Sequence, residues 1–226
     1  MQRVLKLSQK STKINYIEYD DEMSWYKIRF RLEDFGHNNA QLISKNYLTY
    51  TFFTPTQVDY ALARKEDLIT HREYIEEKPK STPAITDNPQ TIQRLYAIRG
   101  AALTQEMFFD KRYPTYGKIV YINPGSIFKT YSQILPRSSI IFIGKKRRVA
   151  RILSIEKVET KEEPWKLTSY DLITKKDFEK LNLEEFKIEA ISRRWVFGRF
   201  KVEKALKIGE DYFISPLLGE KNDNSI

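Results

Sequence analysis

Residues Trp25–Leu32 read WYKIRFRL. Tyr26, Ile28, Phe30 and Leu32 alternate with Lys27, Arg29 and Arg31, the two-residue period of a strand with one face in a core. The opposite face is wholly cationic. Two uses of it stay open, a solvated outer surface or a surface turned toward RNA.

Downstream, FGHNNAQLISKNYLTYTFF (residues 35–53) places Asn38 or Asn39 as the cap of a predicted helix carrying Leu42, Ile43, Tyr47 and Leu48. Strand followed by helix opens a ferredoxin-like unit. From Thr54 to Arg112 the chain is polar and poorly periodic, with Pro55, Pro79, Pro83, Pro89 and the run EEKPKSTP from Glu76 to Pro83. This reads as an insertion with flexible tips. Within it, Asn88-Pro89 predicts the cap and first turn of a short helix around Ile92, Leu95 and Tyr96.

The second half alternates strand patterns with turns. GKIVYI, SIFKTYSQIL and SSIIFIGKKRRVARILSIEKVET are separated by Asn123-Pro124-Gly125 and Leu135-Pro136-Arg137, as in an antiparallel sheet. Thr174, with Asp177 three residues on, approximates a capping box for a helix carrying Phe178 and Leu181. KIEAIS, RWVFGRFKV and DYFISPLL read as closing strands, and residues 220–226 as a frayed tail. The order suits an α+β fold with an antiparallel sheet, residues 1–226 forming one domain with 54–112 as its insertion.

Lys and Arg number 39 against 30 Asp and Glu, a formal charge of +9, which favours a polyanionic partner. Without cysteine, disulfides, thiolate metal sites and cysteine nucleophiles are excluded. His37 and His71 are the two histidines, too few for a histidine-rich metal site, and no cofactor is expected. The basic N-terminus lacks the apolar core of a signal peptide, and no run reaches membrane-spanning length; a soluble cytoplasmic protein, with no membrane partner, is expected.

Three clusters are candidate binding elements. The apolar stretch Ile140–Ile143 ends at Gly144 and runs into Lys145, Lys146, Arg147, Arg148 and Arg151. Glycine admits close backbone approach to phosphate, and grouped cations hold phosphates without reading bases. Ser139 five positions before Gly144 excludes a Walker A loop. A hairpin turn with solvated lysines needs no ligand, so that alternative stays open. Arg193, Arg194 and Arg199 surround Trp195 and Phe197, either to stack on splayed bases or as part of a buried core strand. Tyr113 and Tyr116, beside Lys111 and Arg112, border a groove or cover the core.

Residues 113–152, YPTYGKIVYINPGSIFKTYSQILPRSSIIFIGKKRRVARI, resemble the Cas-five-type subunits of type I-D CRISPR effector complexes (Cascade), of the Csc family within the RAMP superfamily. The resemblance rests on Gly117, Pro124-Gly125-Ser126, Pro136-Arg137, Gly144-Lys145 and the cations to Arg151. KNYLTYTFFTP (residues 45–55) adds a weaker match. Lys146-Arg147-Arg148 departs from the family pattern, which carries one basic residue there.

The resemblance implies a ferredoxin-like, RRM-related core with an inserted thumb and no enzymatic activity. It implies a subunit that caps the 5′ handle of the guide RNA (crRNA), joins the Cascade backbone subunit to the large subunit, and lies near target DNA at the protospacer-adjacent motif. Handle phosphates would lie on Gly144, Lys145, Lys146, Arg147, Arg148 and Arg151, with Arg137, Arg193, Arg194 and Arg199 adding charge and Tyr113, Tyr116 and Trp195 stacking bases. Two alternatives stand beside it. One is a metal-independent endoribonuclease that processes precursor crRNA through His37; the other is a structural module that binds a protein through its basic face.

Overall fold

The computed structural model describes residues 5–6, 24–36, 42–43, 46–47, 50–63, 79–86, 90–97, 116–144, 147–181, 183, 185–191 and 195–214. In chain order the elements are β1 (Leu5–Lys6), β2 (Trp25–Leu32), β3 (Leu42–Ile43), β4 (Asn46–Tyr47), α1 (Pro55–Leu62), β5 (Thr91–Ala97), β6 (Tyr116–Ile122), β7 (Ile127–Ser132) and β8 (Ile140–Ile143). They continue with β9 (Arg148–Val158), β10 (Thr160–Leu167), β11 (Asp171–Thr174), α2 (Lys175–Lys180), β12 (Phe186–Ile191), β13 (Trp195–Ile208) and β14 (Asp211–Ile214).

The first sheet is antiparallel, in the order β1-β9-β2-β7, with β8 beside the start of β9. Its inner face carries Ile28, Phe30, Leu32, Phe128, Ile141, Ile143, Ala150 and Ile152, all buried. Phe53, Val58, Leu62 and Ala84 close this core, and α1 lies over β8. The rings of Phe30 and Phe128 stack at 5.4 Å, and Phe53 tilts onto Phe128 at 4.9 Å. The sequence Thr54-Pro55-Thr56-Gln57 starts α1: the Thr54 hydroxyl accepts from the Gln57 amide, the Gln57 side chain accepts from the Thr54 amide at 2.9 Å, and proline takes the first turn.

The second sheet is built on β13, a strand of 14 residues. Its first half pairs with β11 and β12, and its second half with β10 and β14. Glu203 and Lys204 are both exposed and interrupt the alternation. Val196, Phe200 and Val202 therefore share a core with Ala205, while Leu206 and Ile208 turn toward Trp25, Tyr131 and Phe213. At Gly198 an added Cβ would lie 2.2 Å from the Lys187 carbonyl oxygen, where β12 is irregular between Ile188 and Ala190; only glycine admits that approach. Thr174 caps α2 by accepting from the Asp177 amide at 3.0 Å, as the spacing predicts.

A third sheet, β3-β4-β6-β5, corrects two expectations. The helix expected over Leu42, Ile43 and Tyr47 is instead the short pair β3 and β4, with β4 parallel to β6. The helix expected around Ile92, Leu95 and Tyr96 is β5, which pairs along its length with β6 from Thr91↔Ile122 to Ala97↔Tyr116. In both places the β6 edge supplies ladder hydrogen bonds, and tertiary pairing overrides the local helix signal. Asn38, Asn39, Leu48, Asn88, Pro89, His71 and residues 220–226 lie outside the described residues. The antiparallel sheet expected for the second half is present; among the described residues the helices are two short ones, so the fold is richer in sheet than the α+β expectation. Among the described residues no helix is long and apolar enough to cross a membrane.

Asp171 is buried, and its carboxylate accepts hydrogen bonds from the Leu172 amide at 2.7 Å and the Ile214 amide at 2.8 Å. Burial pushes its pKa up from 3.8 to about 7, against the lowering effect of those amides. Between these values the folded chain holds a proton that the unfolded chain has lost, so stability falls as pH rises through this window. Asp171→Asn is expected to flatten that fall, read from urea denaturation across the window. Phe30→Ala, which empties the centre of the first core, is expected to cost about 3–5 kcal/mol in the same assay.

Candidate nucleic-acid interface

Registers place the outer face of the first sheet in cross-strand rows. Lys129, Arg29 and Ser154 form one row over β7, β2 and β9; Tyr131, Lys27 and Glu156 form the next. On the other side lie Ile127, Arg31 and Arg151, and β8 extends that row with Ile140. Phe142 projects from β8 on this face, 56% exposed, opposite Val149. Five cations and one bare aromatic ring thus share one sheet surface. Cations bind phosphate and rings stack on unpaired bases, and a sheet face holds both at fixed spacing.

Carboxylates at the margins hold most of these cations. Arg31 Nη2 and Arg151 Nε share Glu33 Oε1 at 2.9 and 3.1 Å. The bond from Arg31, then that from Arg151, hold the Glu33 carboxyl below its ordinary value, and its slight burial opposes them. Two guanidinium groups on one carboxylate leave net positive charge. Lys27 pairs with Glu210. Arg29 is exposed and makes no ion pair with another described residue.

The end of the face nearest Trp25 is closed by the β13–β14 hairpin, through Leu206, Ile208 and Phe213. A polar knot seals it. Asp211 accepts from Tyr131 Oη at 2.7 Å and Ser169 Oγ at 2.9 Å and pairs with Lys129 Nζ at 2.7 Å. Burial works against the charge of Asp211, but Lys129, Tyr131 and Ser169 outweigh it, and the pKa falls below the usual value. Burial first, and then the neighbouring Asp211 carboxylate, push the Tyr131 hydroxyl far up, so it stays a donor.

Of the residues singled out from sequence, Gly144, Arg147, Arg148 and Arg151 come together where β8 turns into β9. Gly144 (φ 74°) and Arg147 (φ 50°) are both left-handed, and the Arg147 amide donates to the Gly144 carbonyl at 3.3 Å. Arg147 is exposed. Arg148 is engaged, with Nη1 on Asp34 Oδ2 at 2.9 Å, and Arg151 is engaged with Glu33. Arg137 is exposed on the bend before β8. Trp195 and Arg199 lie on the second sheet. Trp195 is half-buried, edge-on to Tyr50 at 5.3 Å and Phe52 at 5.7 Å. Phe197 is buried and stacks on Phe52 at 3.7 Å. Arg199 donates to the Thr168 carbonyl at 3.3 Å and lies over the Tyr170 ring. These rings face one another, as a core strand requires. Tyr116 opens β6; Lys145, Lys146, Tyr113, Arg193, Arg194 and His37 lie outside the described residues.

Sequence reasoning saw the cationic face of β2 but left Lys27, Arg29 and Arg31 out of the site. Lys129 and Phe142 join it only through the registers of β7 and β8. No family model and no curated protein matches this chain. Asp211→Asn is expected to lower stability at neutral pH by about 1–3 kcal/mol. It should also remove the part of acid unfolding that belongs to this carboxylate below its ordinary value of 3.8, measured by denaturation on both sides of that pH.

Proposed function

We propose that this protein binds single-stranded RNA on the outer face of its first sheet, as the guide-capping subunit of a type I-D CRISPR effector complex. The observation that carries the RNA reading is the in-register set Lys27, Arg29, Arg31, Lys129 and Arg151 beside the exposed ring of Phe142. The resemblance over residues 113–152 supplies the particular RNA, the 5′ handle, and the partners: backbone subunit, large subunit and target DNA beside the protospacer-adjacent motif.

The same reading takes β2, α1, β8 and β9 as the opening of a ferredoxin-like RAMP core. The spatial order β8-β9-β2, with α1 between β2 and β8 in the chain, supports it. β7 departs from the simple unit, because it takes the remaining place beside β2 yet precedes β8 in the chain.

Fluorescence anisotropy with labelled single-stranded RNA across a salt series tests the interface. Each phosphate contact removed should flatten the log–log salt slope by about 0.7, so Arg31→Ala/Arg151→Ala should shift it measurably. Phe142→Ala should weaken binding by about 1–3 kcal/mol without changing the slope. Unchanged affinity and slope in both variants would remove this face as the site. Co-expression with the neighbouring genes and a repeat–spacer array tests the rest: co-purified RNA of uniform length with a shared repeat-derived 5′ end is expected, and protein without RNA would refute the capping role.

A further inference from the structure

Among the described residues β8, β10 and β12 are each paired on one side only. Two of these edges carry features that stop an edge from pairing with another chain. β10 sets Lys161, Glu162, Glu163 and Pro164 along its edge, and β12 carries Lys187 and Glu189 and shifts register between Ile188 and Ala190. β8 has no such device. It reads IIFI and pairs evenly with β9, and its Ile140 and Phe142 are 41% and 56% exposed.

The main chain of this edge is laid out to receive a strand. The Ile152 amide donates to the Ser139 carbonyl at 2.8 Å, so by antiparallel alternation Ile141 and Ile143 turn their amides and carbonyls toward β9, and Ile140 and Phe142 turn theirs away from it. The Ile140 amide donates to the hydroxyl of Ser138 at 3.2 Å, a surface bond that an incoming carbonyl can replace. Among the described residues Phe142 makes no hydrogen bond outside the ladder. Ile141 and Ile143 are buried in the first core beside Val58 and Leu62 of α1, which holds the edge rigid.

Charge selects the occupant. Arg137 precedes β8, and Lys145, Lys146 and Arg147 follow it. Arg147 is exposed and makes no ion pair with another described residue, and Arg151, across from Ile140, shares the Glu33 carboxylate with Arg31. An antiparallel second copy would lay the Arg137 end of one strand against the Lys145–Arg147 end of the other, which like charges oppose. We propose that the edge of β8 takes in an extended segment of a partner protein, apolar at its centre and acidic at both ends. Its main chain bonds to Ile140 and Phe142, alternate apolar side chains cover theirs, and its acids meet the flanking cations. The added strand extends the sheet sideways and leaves the cationic face uncovered, so this inference stands apart from the RNA reading.

The probe is a synthetic peptide of alternating valine and threonine with two glutamates at each end, titrated against the full chain by NMR with amide hydrogen exchange. In the free chain the Phe142 amide should exchange fast and those of Ile141 and Ile143 slowly; the peptide should slow Phe142. An antiparallel strand bonds through its valine amides and a parallel one through its threonine amides, so of two peptides N-methylated at one set or the other, one should bind like the parent and the other about tenfold or more weakly. Lysines in place of the glutamates should weaken binding about fivefold or more at low salt. Phe142→Pro removes an amide that β9 does not use and should abolish binding, while the methylated peptides keep the test independent of that variant's folding. No binding, equal binding of the two methylated peptides, or equal binding of the lysine peptide overturns the inference. So does a dimer in sedimentation that the peptide dissolves, which gives the edge to a second copy, or single-stranded RNA that slows the Phe142 amide and displaces the peptide, which gives it to nucleic acid.

Discussion

Strand β2 is hydrogen-bonded on both edges to antiparallel partners, so its alternation fixes which way the side chains of β7 and β9 point. A strand paired on one edge can slip; one paired on both carries its neighbours with it. Ile28, Phe30 and Leu32 drive one face into the core, and Lys27, Arg29 and Arg31 are then held on the other at strand spacing, with Lys129 and Arg151 in line. The apolar core and the cationic surface are two sides of one constraint.

The second sheet decides how much of that surface stays open. The β13–β14 hairpin covers the end nearest Trp25 and stops at Glu210, where the Lys27 ion pair begins. Asp211 makes the join specific: three donors converge on one carboxylate that would be costly to bury unpaired. Apolar contact closes one end of the face, and the polar knot marks where the closure stops.

Much of the fold was legible in sequence where the physics is local. The alternation in WYKIRFRL, the breaks at Asn123-Pro124-Gly125 and Leu135-Pro136-Arg137, and the Thr174–Asp177 cap all correspond to structure. So was one element passed over: Thr54-Pro55-Thr56-Gln57 is a complete helix start inside a stretch read as insertion. What was not legible depended on distant partners. Leu42–Ile43 and Thr91–Ala97 are strands because of the sheet that includes β6, and nothing within either segment announces that neighbour. The site divides the same way. Clustered cations at 144–151 stand out in sequence, yet Arg148 and Arg151 meet Asp34 and Glu33, in the bend that follows β2 more than a hundred residues earlier. Arg29, read in sequence only as part of a cationic strand face, makes no ion pair with another described residue.

The paired exposed residues Glu203 and Lys204 give β13 two allegiances. Before them the strand serves the core around Phe200; after them Leu206 and Ile208 face Trp25 of the first sheet. Loss of a single residue at that point would turn the second half of β13 inside out, sending lysines toward Trp25 and leucine toward water. The two sheets therefore constrain each other in the length of a strand as well as in its composition, and an insertion or deletion there is felt at the cationic face one sheet away.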